Sequence, residues 1–166
     1  MEQITRETLQ ESELPCSGFS AGVKAGVPIA VGYLPIAVTF GLLARSLGVP
    51  AYGAMAMSLI VFAGASQFVG VNLFALGAST PEIVLATFVL NFRHFIMSSA
   101  LSRRFRAGTP RPLLGLLAFG VTDESFSVAS LRDERFLGPA FVLGLNSVGY
   151  CAWNVGTFLG VFLAAS

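Results

Sequence analysis

The chain has 166 residues, of which 54% are hydrophobic and only 11% charged, with a formal net charge of +1 and a mean hydropathy of +0.75. So apolar a chain cannot bury its surface as a soluble globule, and the composition points to a polytopic membrane protein. The small charge, with basic residues scattered between apolar segments, gives no case for a nucleic-acid partner, and Cys16 in a polar stretch and Cys151 in an apolar one make no disulfide framework or metal cluster.

Residues 1–20 are polar, carry Glu2, Glu7, Glu11 and Glu13, and lack the basic start and apolar core of a secretory signal; they are expected to form a short tail before a membrane domain at 21–166. A span needs about 20 apolar residues. Segments of that kind recur at 25–44, 54–76, 83–100, 113–131 and 138–165. The expected fold class is therefore an all-α polytopic membrane protein of about five transmembrane segments.

The first segment contains Pro28 and Pro35, and each removes a backbone donor and crowds the preceding turn, so this helix is expected to kink or break. Freed carbonyls near Pro35 then become ligand groups; the alternative is a tilted helix packed through its small residues.

The second segment carries Phe62-Ala63-Gly64-Ala65-Ser66-Gln67-Phe68. Two small-residue hinges followed by a hydroxyl and an amide mark a helix interruption, which hydrocarbon tolerates only where protein or a water-filled cavity covers it. Phe62, Gly64, Ala65, Ser66 and Gln67, with Pro35, are the candidate substrate-binding residues. Interrupted membrane helices point to transporter sites, because their exposed backbone dipoles bind charged ends of a substrate. This segment either crosses the membrane or folds back at Gly64 as a re-entrant hairpin.

The third segment contains Asn91-Phe92-Arg93-His94, with Asn91, His94 and Ser98 on one helical face. An arginine at the centre of a membrane helix costs about 2.5–3.5 kcal/mol on insertion scales, so it should face the protein interior and have a partner. The expected partners are Asp123 and Glu124, midway along the fourth segment. Pairing of Arg93 or His94 with Asp123 or Glu124 serves either as a proton relay through His94 or as a static ion pair that fixes helix register. One histidine without a cysteine cluster supplies too few ligands for a metal.

Arg103, Arg104, Arg106 and Arg111 crowd the connection between the third and fourth segments, which places that connection in the cytoplasm. The side of the N-terminus stays open, because it depends on whether the second segment crosses. In the last segment Asn146, Tyr150, Trp153, Asn154 and Thr157 form a polar and aromatic stripe that lines a pathway or packs. Gly149-Tyr150 through Phe158-x-Gly160 echoes Gly32-Tyr33 through Phe40-Gly41, which hints at an internal repeat with an incomplete second copy.

Taken in order, the first segment ending in Phe40-Gly41-Leu42-Leu43-Ala44, the motif Met57-Ser58 to Phe62-Ala63-Gly64-Ala65-Ser66-Gln67-Phe68, Asn91-Phe92-Arg93-His94 and Thr122-Asp123-Glu124-Ser125 resemble the AzlC family of branched-chain amino acid exporters. The resemblance covers about Gly22 to the last residue. It implies an inverted-repeat transporter with discontinuous or re-entrant helices in the bacterial inner membrane. It also implies export of valine, leucine and isoleucine, without a cofactor, together with a small AzlD-type membrane subunit. Family members usually continue for several tens of residues, so the chain is expected to be C-terminally truncated. The alternative function is a non-transporting assembly subunit or an inactive fragment.

Overall fold

The computed structural model describes residues 18–165; most of the expected polar tail, with Cys16, lies outside the described residues. Those residues form α1 (Phe19–Ser46), α2 (Ala51–Ala56) continued by a π-helical turn (Met57–Val61), α3 (Gly64–Ala75), α4 (Thr80–Ser102), α5 (Arg111–Phe119), α6 (Asp123–Ser130) and α7 (Pro139–Leu163). The all-helical membrane class holds. By length and composition α1 and α4 suffice to cross a membrane, and α7, with 25 residues, runs along α1.

The α1–α7 pair is the spine. Glycines let the two backbones touch: a Cβ on Gly41 would stand 2.5 Å from the Thr157 carbonyl oxygen, and one on Gly156 would stand 2.6 Å from the Ala37 Cβ. Small residues drive such close approach where lipid supplies no hydrophobic force between helices. Gly22 packs on Phe141 and Gly41 on Thr157 and Gly160, so the helices are parallel.

This contact explains one departure from the sequence expectation. Pro28 and Pro35 both lie inside α1, yet the helix is unbroken from Phe19 to Ser46. Each proline costs one ladder bond, and packing along the whole of α7 keeps the turns together.

The interruptions fall instead in the second and fourth segments. In the second, the π-turn closes with the Phe62 N–H on the Met57 carbonyl at 3.2 Å, and Phe62 takes a left-handed conformation with φ 45° before α3 begins at Gly64. Left-handed backbone at a bulky residue costs roughly 1–3 kcal/mol and persists where the surroundings impose it. The chain then folds back. Gly70 lies against the end of the Met57 side chain, although 13 residues of straight helix would separate them by about 20 Å.

The fourth segment was expected to be continuous with Asp123 at its middle. It breaks at Gly120–Thr122, and α5 and α6 are bent by 118°. The cause is a capping box: the Thr122 hydroxyl accepts from the Ser125 N–H at 3.3 Å and the Ser125 hydroxyl accepts from the Thr122 N–H at 2.9 Å, which starts a new helix. Asp123 and Glu124 thus occupy the first turn of α6, where carboxylates suit the positive end of the helix. The chain leaves α6 at the end where α4 finished, because Leu137 N–H donates to the Arg104 carbonyl at 2.7 Å and the Arg104 guanidinium donates to the carbonyls of Arg132 and Glu134 at 2.9 and 2.6 Å.

Three long helices therefore frame two re-entrant hairpins, α2–α3 and α5–α6, that enter from opposite ends. Their tips meet: the Phe62 and Phe119 rings lie 6.3 Å apart, and Tyr150 of α7 packs on both, at 5.1 and 6.0 Å.

Candidate substrate cavity

Where the tips meet they line, together with α1, α4 and α7, a partly open cavity of about 320 Å³. The α2–α3 tip contributes Phe62, Ala63, Gly64, Ala65 and Phe68; the α5–α6 tip contributes Thr122, Asp123 and Glu124. Arg93 and His94 come from α4, Tyr33 and Ile36 from α1, and Trp153 from α7.

Two polar contacts tie the α6 tip to its neighbours. Arg93 pairs with Asp123 at 2.5 Å, and the Tyr33 hydroxyl donates to the Glu124 carboxylate. The structure thus joins Arg93 to Asp123, gives Glu124 to Tyr33, and sets His94 half-buried in the wall. The pair is less shielded than expected: the Arg93 and Asp123 side chains are 43% and 48% exposed, because α4 buries only Met97 and Leu101.

The α3 tip is held differently. Gln67, fully buried, accepts from the Trp153 indole N–H at 3.0 Å and donates to the Ser58 hydroxyl at 3.0 Å, and Ser58 in turn bonds Thr157 at 2.8 Å. Tyr150 O–H donates to the Leu59 carbonyl at 2.9 Å. The Ser66 hydroxyl, also buried, donates to the Ala63 carbonyl at 2.9 Å. Ala63 supplies no side-chain cap, so the first amides of α3, at Gly64, Ala65 and Ser66, lack intrahelical partners and leave a partial positive charge beside the cavity.

Of the substrate-binding residues expected from sequence, Phe62, Gly64 and Ala65 line this cavity. Gln67 and Ser66 do not; their side chains are committed within the protein, and they border a second, mostly apolar cavity of about 380 Å³ beside Asn91. Asn91 is thereby parted from Arg93 and His94. Pro35 is exposed and lines neither cavity, although its neighbours Tyr33 and Ile36 line the first. The stripe on α7 divides: Asn146 and Thr157 are buried in packing, the Asn146 amide donating to the Leu117 carbonyl at 3.0 Å, while Trp153 reaches the cavity. Tyr33, Ile36 and Thr122 were not singled out as cavity residues from the sequence. The one available signal was Thr122-x-x-Ser125 after Gly120, a capping pattern that marks the break and with it the wall.

The AzlC protein family model matches residues 28–166. The chain belongs to the AzlC family. A membrane protein of Archaeoglobus fulgidus is 40% identical over 89% of this chain and 64% of its own length. The inner membrane protein YgaZ of Escherichia coli is 33% identical over 87% of this chain and 60% of its own. The branched-chain amino acid transport protein AzlC of Bacillus subtilis is 34% identical over 87% of this chain and 57% of its own. The chain thus spans about 57–64% of the length of these relatives. No solved structure matches it.

Proposed function

We propose that the chain exports branched-chain amino acids across the inner membrane and that the tip-to-tip cavity is its substrate site. The observation that carries this reading is the mixed lining of the cavity. It brings together the carboxylates of Asp123 and Glu124, the Arg93 guanidinium and the uncapped start of α3 with the apolar side chains of Ile36, Phe62, Phe68 and Trp153. A zwitterion with an aliphatic side chain matches that combination. Its ammonium meets Glu124 and Asp123, its carboxylate meets the amides of Gly64, Ala65 and Ser66, and its side chain lies on the apolar wall. The volume lies at the low end of small-molecule sites, in keeping with a ligand of amino-acid size. The Bacillus subtilis relative is named for branched-chain amino acid transport, which favours the same substrate class.

Orientation follows from charge. Arg103, Arg104, Arg106, Arg111, Arg132 and Arg135 share one end with Lys24 near the start of α1, and Arg45 stands at the other. The arginine-rich end, with the start of α1, is assigned to the cytoplasm. A small AzlD-type subunit and proton coupling through His94 complete the proposal.

The test is flux of labelled valine in vesicles carrying the chain, alone and with the small subunit. Asp123→Asn combined with Glu124→Gln is expected to cut it at least about tenfold, the scale of losing a hydrogen bond to a charged group. Flux equal to empty vesicles in both arrangements sinks the proposal.

A further inference from the structure

Trp153 is the chain's only tryptophan, and four contacts fix it. Its N–H is taken by Gln67, its ring meets Tyr33 edge-on at 5.6 Å and an 80° interplanar angle, and it stacks on Phe40 at 6.3 Å and 27°. On the cavity side it presses against Gly64, where a Cβ would stand 2.6 Å from its Cη2 atom. Only 4% of Trp153 is exposed, yet its edge forms part of the cavity wall. A side chain so confined cannot swing aside to admit a larger ligand, since every other rotamer loses a buried hydrogen bond and two ring contacts.

Resting on the substrate reading above, we propose that Trp153 is the wall that sets the size of the apolar side chain the cavity accepts, with Gln67 as its positioning residue. The subsite takes branched aliphatic side chains between Ile36, Phe68 and the indole edge. Phenyl side chains are refused because they need the volume Trp153 holds. Glycine occupies the polar side without touching the wall. The neighbouring glycine belongs to the same device: at position 64 any side chain would push the indole or be pushed from the cavity.

The single tryptophan makes the assignment directly readable. The detergent-solubilised chain is titrated with leucine, valine, phenylalanine and glycine while Trp153 emission is followed, and binding of labelled leucine is measured in parallel. Leucine and valine are expected to change the emission saturably at the concentrations at which labelled leucine binds, and glycine is expected to leave it unchanged. In Trp153→Leu, phenylalanine should compete with labelled leucine at least about tenfold better than in the wild type, the scale of discrimination that one or two methylene-sized differences in a pocket provide. Gln67→Leu should relax the same ratio, and Gln67→Glu, which keeps an acceptor for the indole and, protonated, a donor for Ser58, should restore it. Leucine binding with no change in wild-type emission overturns the assignment without any variant, as does a phenylalanine-to-leucine ratio within about twofold of wild type in Trp153→Leu. Absence of leucine binding to the wild type overturns the substrate class itself, and is distinguishable from both.

Discussion

The two re-entrant hairpins enter the fold from opposite ends and meet at one cavity, but they are fastened by different chemistry. The α2–α3 tip is held to α7 chiefly by buried neutral groups, Gln67 between Trp153 and Ser58 and Ser58 on Thr157, with Tyr150 on the exposed Leu59 carbonyl at their edge. The α5–α6 tip is held by Arg93–Asp123 and Tyr33–Glu124, contacts made by half-exposed or exposed groups. Buried neutral bonds cannot exchange their partners for water or for a substrate without leaving an orphan, whereas accessible ionic contacts can. On the proposed substrate reading, the difference makes α3 the fixed wall of the cavity and the α6 tip the part that responds to a charged ligand.

The largest effect is expected where the fixed side is broken. Gln67→Leu strands the Trp153 N–H and leaves the Ser58–Thr157 pair without its amide donor, and should cost about 2–4 kcal/mol, read as a lower thermal midpoint in detergent. A loss below about 1 kcal/mol would break the comparison. Thr157→Val removes one hydroxyl from the same chain of bonds and should cost about 1–2 kcal/mol by the same measurement.

On the other hairpin the stability effects shrink. Tyr33→Phe loses one bond between helices, about 0.6 kcal/mol in a membrane protein. Asp123→Asn should change stability by about 0–1 kcal/mol while still lowering valine flux, since an accessible ion pair contributes little to folding. Hydrogen exchange sharpens the contrast further: amides of α6 should exchange faster than those of α3, and equal protection would remove the distinction.

Much of this was legible in the residues. Composition gave the membrane class, because hydrocarbon is the only solvent that suits so apolar a surface, and the small-residue hinges beside Ser66-Gln67 marked the first break within two residues of where it lies. The cost of a lone charge in a membrane helix called for pairing of Arg93 or His94 with Asp123 or Glu124, and the structure joins Arg93 to Asp123. The second break lies in the fourth segment, which reads as one continuous span, while α1, expected to kink or break at its prolines, stays unbroken. Proline reports only a lost local bond, and whether the helix then parts depends on what lies beside it.

The sequence by itself thus determined the solvent the chain lives in, the existence of an interrupted segment and the demand for a charge partner, since each is a local or compositional free-energy term. The tertiary structure alone decided that both interrupted segments turn back and meet, that Gln67 faces Trp153 rather than the cavity, and that Glu124 belongs to Tyr33. Those outcomes depend on which surfaces of distant segments touch, and side-chain pairs such as Tyr33 with Glu124 or Gln67 with Trp153, 91 and 86 residues apart, leave no periodicity in the chain for a reader to find.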